Sequence, residues 1–323
     1  MFPSIARFFG KGRPADRQPE RIVKGIDWSR EHADPLWFEQ ADAMDRVPDL
    51  ASKWQEPDAD ALLRKWLTDG YIVLDNCFSE DEIDQFSKEV DDAWTAEQPS
   101  SGLSVSDVRV GDVTHVHMAH ADLLALAPED RALAKAQSNW RIGEFHLYNE
   151  AANRVFRNQR IANACSALFD RDGLPHFSLT FSKGSTQALH QDTCVFHTWP
   201  FNALIGVWVA LEDIKVESGP LVYYPGSHRE PLFHEFDNYP QTQRRTASPE
   251  QSARYDAYVA ETASKYKRKE FLAKKGQALF WHGMLIHGGA KFVAPGTTRK
   301  SFVIHFLPDG GNVGHRVVGP FNW

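Results

Sequence analysis

Apolar residues recur at helical spacing in three stretches of the chain, and short β-rich runs separated by turn residues fill most of its second half. In the first stretch, Leu62, Leu63, Trp66 and Leu67 give a helical period over 58–69, and Gly70 stops it. Tyr71-Ile72-Val73-Leu74 then reads as a strand. Ser79 and Glu82 form a capping box ahead of Ile83, Phe86, Val90 and Trp94, which predicts a helix with one buried stripe. A third helix over 151–168 leads through Gly173-Leu174-Pro175 into a strand at Phe177. Further strands are predicted at 177–183, 187–196, 203–211, 220–224, 276–281, 284–287 and 299–307, with Gly and Pro signals between them. A run of short strands suits a two-sheet jelly roll better than a parallel sheet with crossover helices.

One excursion interrupts the strands, from Arg229 to Lys275. Ser248 as cap, Pro249 at the first helical position and Gln251 closing a capping box predict a helix there. The excursion is too long and polar for a hairpin connection and reads as a lid over a substrate mouth. Its far end gathers Lys265, Lys267, Arg268, Lys269, Lys274 and Lys275, either a contact for a phosphate-bearing substrate or the solvated end of a helix. The chain thus divides into an N-terminal arm and strap (1–58), a jelly-roll domain with the lid insertion 229–275 (59–308), and a C-terminal tail (309–323).

Composition narrows the class. A chain of 323 residues, 42% hydrophobic and 24% charged, has material for one large core. A net charge of −7 argues against a nucleic-acid surface and leaves a small-molecule substrate as the expected partner. No apolar run reaches the roughly 18 residues that span a bilayer. Three widely spaced cysteines, Cys77, Cys165 and Cys194, give neither a disulfide framework nor a Cys-x-x-Cys motif, so a reducing cytoplasm is expected. Arg7, Lys11, Arg13 and Arg17 follow Phe2, Ile5, Phe8 and Phe9, but Gly10, Gly12 and Pro14 stop any helix early, which points to a loosely packed arm.

The candidate chemistry lies at His190-Gln191-Asp192. On a strand, residues two apart share a face, so an imidazole and a carboxylate point together toward one ion. Such a pair suits Fe(II), Mn(II) or Zn(II), and a second imidazole would complete a facial triad. His287, in Leu285-Ile286-His287-Gly288-Gly289, is the best candidate; His282, five residues earlier, would face away on a continuous strand. Arg299 follows after a turn and is expected on the strand paired with His287. There its planar donors could grip a carboxylate, with Ser301 adding a contact from the same face. His115, His117 and His120 resemble a second metal cluster but lack a carboxylate or cysteine at useful spacing.

With these residues in place, the chain resembles the phytanoyl-CoA dioxygenase family of Fe(II)/2-oxoglutarate oxygenases over roughly 60–308. The resemblance rests on Asp69-Gly70-Tyr71-Ile72-Val73-Leu74, His190-Gln191-Asp192, Glu217-Ser218-Gly219-Pro220-Leu221, Pro225-Gly226-Ser227-His228, and His287-Gly288 with Arg299. It implies a mainly β fold with flanking helices around a double-stranded β-helix, a cupin-like jelly roll. It also implies His190, Asp192 and His287 as Fe(II) ligands, Arg299 as the 2-oxoglutarate clamp and Trp208 as a wall of the co-substrate pocket. Dioxygen is then co-substrate, ascorbate the expected reductant, and hydroxylation the outcome, because related halogenases lack the carboxylate that Asp192 provides. Gly289 stands where some members carry a serine that touches 2-oxoglutarate, a contact Ser301 could replace. His228 would cap a loop or face substrate. Two other readings stay open at this point: a zinc hydrolase using the same three ligands, which would need no Arg299, and a jelly roll that binds a ligand without turnover.

Overall fold

Helix ends and strand faces follow local chemistry closely. In the computed structural model, which describes residues 35–184, 187–196, 198–199, 202–236, 247–294 and 296–313, the helices are α1 (Ala43–Lys53), α2 (Ala59–Asp69), α3 (Glu80–Asp92), α4 (His120–Ala125), α5 (Pro128–Gln137), α6 (Glu150–Phe156), α7 (Gln159–Phe169) and α8 (Pro249–Ser264). The capping boxes expected at α3 and α8 both form: Ser79 Oγ accepts from Glu82 N and Ser248 Oγ from Gln251 N. Helix α2 ends at Gly70, whose φ of +74° is the left-handed conformation glycine adopts at little cost. A Cβ at Gly70 would also stand 2.5 Å from His228 Nδ1, so that position is closed to side chains twice over.

The strands are β1 (Tyr71–Leu74), β2 (Ser104–Val110), β3 (Val113–Ala119), β4 (Arg141–Gly143), β5 (Gly173–Phe181), β6 (Thr198–Trp199), β7 (Ile205–Ala210), β8 (Leu221–Tyr223), β9 (Lys269–Phe271), β10 (Ala278–His282), β11 (His287–Gly289), β12 (Ser301–Pro308) and β13 (Asn312–Val313). Eight of them make one sheet, in the order β1-β10-β7-β12-β5-β4-β2-β3; β11-β8-β9 make a second, and β13-β6 a short pair. Every ladder is antiparallel.

Period-two alternation gives the large sheet two buried faces. Ile72, Phe280, Val207, Val209, Phe302 and Ile304 face the helical layer, in one cluster with Trp66, Phe86, Trp94 and Phe169. Tyr71, Trp281, Trp208, Val303 and Leu179 face the other way and join Leu221, Tyr223 and Phe271 of the small sheet. The space between the two sheets is where the candidate ligands lie. A third cluster packs Phe233, Phe236, Tyr255 and Val259 of the insertion against Met284 and Ile286.

Several expectations need correction. Residues 187–196 are not a strand: His190 makes a lone bridge to His287, and Asp192–Cys194 is a 3-10 turn. Val195 N and Phe196 N both donate to Asp192 O at 2.8 Å, so the chain curls directly after the second candidate ligand. Arg299 is not on a strand paired with His287. β11 pairs with β8 in the small sheet, whereas Arg299 leads into β12 of the large sheet and donates its backbone N–H to Ser182 O. The helix expected over 151–168 breaks in two where Asn158 caps α7, its side chain accepting from Ile161 N. Helix α1 forms despite Pro48, because Val47 and Leu50 are buried in the main core. Trp37 and Trp54 join the same core; Trp28 and the rest of 1–34 lie outside the described residues.

All three cysteines are free and buried, and burial pushes the Cys77 thiol up to about 12. A native sample at mildly alkaline pH is therefore expected to leave a chromogenic disulfide reagent unreacted, with three thiols titrating only after denaturation. Fast labelling of the native protein would show that one of these sites opens.

Candidate metal centre

His190 and His287 are placed by main-chain bonds before any side chain acts. His190 N donates to His287 O at 2.9 Å, and His287 N donates back to His190 O at 3.1 Å. Their rings then lie 4.4 Å apart. Gln191 is extended, at φ −118° and ψ 127°, so Asp192 turns to the same side as His190 while the Gln191 amide points away and donates to Met284 O at 3.1 Å. The same-face relation expected from a strand is realised by this single residue.

In each histidine one ring nitrogen is already committed. His190 Nδ1 lies 2.8 Å from Ala188 O and His287 Nδ1 lies 2.9 Å from Leu285 O. A carbonyl only accepts, so Nδ1 carries the proton in both rings and Nε2 presents its lone pair to the cavity. Asp192 Oδ1 is 3.4 Å from His190 Nε2 and 3.7 Å from His287 Nε2. One ligand atom from each of the three residues falls within 4.8 Å of the others, the one such group of His, Cys, Asp and Glu among the described residues. All three are buried. Burial pushes the His287 imidazole down to about 4, against the pull of Asp192, so the ring is neutral near pH 7. Burial works against the Asp192 carboxylate, but a proton on any of the imidazoles around it, His287, His190 or His305, favours the anion enough to hold the group well below the usual carboxylate range. A neutral imidazole, as at His287, and an ionised carboxylate are the forms that bind a divalent cation.

The other predicted site residues line or adjoin the same cavity. Arg299 and Trp208 line it, with Leu179, Phe181, Leu221 and Val303 as apolar wall. Arg299 is 2% exposed, donates from Nη1 to Gly219 O at 2.8 Å, and is pushed down to about 10 by burial. Ser301 lies on the face of β12 that carries Val303 and His305 into the cavity, and its buried hydroxyl has no hydrogen-bond partner among the described residues.

Other histidines are accounted for elsewhere. His282 turns to the opposite face of β10, with Phe38 5.1 Å and Trp66 5.7 Å away, and its Nδ1 accepts from Met284 N. His228 takes the structural role: it is half-buried, its Nε2 meets Leu67 O at 3.2 Å at the end of α2, and desolvation pushes its pKa down to about 4. His117 bonds Ser106, and His120 accepts from Ser100 N and meets Ala93 O. The basic end of the insertion meets carboxylates: Lys265 with Glu230, Arg268 with Glu270, Lys274 with Asp213 and Lys275 with Asp84.

Two residues at the site carry no motif of their own. His305 Nε2 lies 3.4 Å from Asp192 Oδ2, and Trp281 Nε1 donates to the same oxygen at 2.8 Å. The one sequence signal toward His305 is the period of two that runs from Arg299 through Ser301 and Val303 to His305, into and along β12.

The pattern of the phytanoyl-CoA dioxygenase (PhyH) family matches residues 66–301. A phytanoyl-CoA dioxygenase domain-containing protein 1 homolog from Caenorhabditis elegans is 24% identical over 272 residues, which cover 76% of this chain and 90% of the relative. Peroxisomal phytanoyl-CoA dioxygenase from Bos taurus is 27% identical over 243 residues, covering 73% and 65% respectively. Among solved structures, the epimerase SnoN in complex with Fe3+, alpha ketoglutarate and nogalamycin RO has a TM-score of 0.58 at 16% identity, over 81% of this chain and 89% of that one.

Proposed function

The chain belongs to the phytanoyl-CoA dioxygenase family, and on that footing we propose that it is an Fe(II)- and 2-oxoglutarate-dependent dioxygenase that hydroxylates a C–H bond of a small organic substrate, releasing succinate and CO2. The observation that carries this reading is a His/Asp/His face and a buried guanidinium opening onto one cavity. When bound, Fe(II) with 2-oxoglutarate and dioxygen supplies the oxidative decarboxylation and the power to oxidise C–H, with ascorbate as reductant.

The protein's own work is positioning and shielding. His190, Asp192 and His287 hold the ion from one side and leave the other side for co-substrate and dioxygen. Arg299 grips the far carboxylate of 2-oxoglutarate by paired N–H donors. The Ser301 hydroxyl supplies a further donor where Gly289 has none. Trp208 and its apolar neighbours keep water from the reacting C–H bond. Free, buried thiols fit a reducing compartment such as the cytoplasm. No helix of the described residues is long and apolar enough to cross a membrane.

Succinate release with Fe(II), 2-oxoglutarate and ascorbate, run across acyl-CoA, amino-acid and glycan panels, tests the reading. Slow release without added substrate and stimulation by one class are expected; no release under any condition would overturn it.

The insertion 229–275 serves in this reading as the cover of the site. Its helix α8 reaches the ligand loop directly, since Tyr255 Oη accepts from Gln191 N at 3.0 Å, between the two ligands. Tyr255→Ala is expected to loosen the cover and raise the ratio of succinate formed to substrate hydroxylated. An unchanged ratio would leave the insertion a scaffold only.

A further inference from the structure

Asp192 offers two oxygens, and the structure treats them differently. Oδ1 faces His190 Nε2 and His287 Nε2, at 3.4 and 3.7 Å. Oδ2 faces Trp281 Nε1 at 2.8 Å and His305 Nε2 at 3.4 Å. An indole N–H can only donate, so the direction of the first contact is fixed. The second follows from burial. His305 is 4% exposed and its Nδ1 meets no partner among the described residues, which suits a bare acceptor better than a stranded N–H, so the proton sits on Nε2 and points at Asp192.

Building this arrangement has required room. Gly206 on β7 stands opposite Trp281 on β10, and a Cβ there would lie 2.1 Å from Trp281 Cε2. The indole therefore lies across the bare backbone of Gly206, a position no other residue type permits. His305 is held between Phe177 and Phe196, whose ring centroids lie 5.9 and 4.6 Å from its own. Neither donor can swing away easily.

We infer that Trp281 and His305 are positioning residues that occupy Asp192 Oδ2 and so restrict this carboxylate to a single metal bond through Oδ1. The inference rests on the metal-binding reading above and deepens it. A carboxylate free to bind through both oxygens would take a fourth position on the ion and leave two where co-substrate and dioxygen together need three. The two donors also brace Asp192 against rotation, the role that hydrogen-bonded neighbours of metal ligands commonly play.

The test uses the full chain, stripped of metal and titrated with Co(II), whose visible d–d absorption weakens as coordination number rises. Parent protein is expected to bind one Co(II), and His190→Ala to lose it. Trp281→Phe keeps the ring and removes the N–H; it and His305→Leu should each weaken Co(II) binding by roughly 10- to 100-fold and lower the d–d intensity per bound ion. His305→Gln, which restores an N–H donor, should recover part of both losses, a rescue that a purely packing role would not produce. Gly206→Ala should act like Trp281→Phe by displacing the indole. Melting of the metal-free variants reports folding separately. If Trp281→Phe and His305→Leu fold and bind Co(II) with parental affinity and spectrum, the inference is overturned while the metal site stands. If parent protein binds no Co(II), or binds it undiminished in His190→Ala, the metal-site reading itself fails and the inference with it.

Discussion

Alanine at His190 or at His287 is expected to abolish both metal retention and succinate formation while leaving a folded protein. On the proposed reading each histidine supplies one of three ligand atoms, and among the described residues the other nearby histidines are turned elsewhere: His282 faces the opposite side of β10 and His305 is directed at Asp192 Oδ2. The fold should survive, because the bridge between the two positions is made by backbone atoms that alanine retains. Metal content after gel filtration, circular dichroism and succinate release would be measured together. A variant that keeps both iron and turnover would move the catalytic centre elsewhere.

Arg299→Ala should raise the KM for 2-oxoglutarate by one to three orders of magnitude. The substitution leaves a carboxylate in a buried site without its charge-assisted partner, a loss typically of about 2 to 5 kcal/mol. Lysine should rescue only in part, since a single ammonium cannot reproduce two parallel N–H bonds and the Nη1 bond to Gly219 O depends on the guanidinium fork. Binding of 2-oxoglutarate measured with the metal in place, beside steady-state KM, checks the assignment; an unchanged KM would remove the clamp and return the zinc hydrolase to contention.

Much of this architecture could be read before any coordinates, and the limits of that reading are physical. Helices α2, α3 and α8 declare themselves because capping chemistry and a 3.6-residue stripe are local properties. The grouping of His190, Asp192 and His287 was accessible because an imidazole and a carboxylate two residues apart, followed by an imidazole ahead of paired glycines, is a short-range signal. What escaped depends on long-range packing. The turn at Asp192–Cys194 is stabilised by carbonyl acceptance that periodicity does not record. Arg299 reaches the cavity from the large sheet, not beside His287, because strand order is set by how two sheets close on one another. Trp281 has no sequence signal that sets it apart from other aromatics, because the space its indole uses depends on Gly206 of the neighbouring strand.

The reciprocal backbone bridge between His190 and His287 has a thermodynamic consequence. Bringing two distant chain segments to one point carries a loop-closure entropy, which many small metal-bound domains recover only when the ion arrives. Here sheet formation has already met that cost, so the apo site is preorganised. On the metal-binding reading, the ion's binding free energy would go into coordination more than into folding, and its removal is expected to cost function without costing structure.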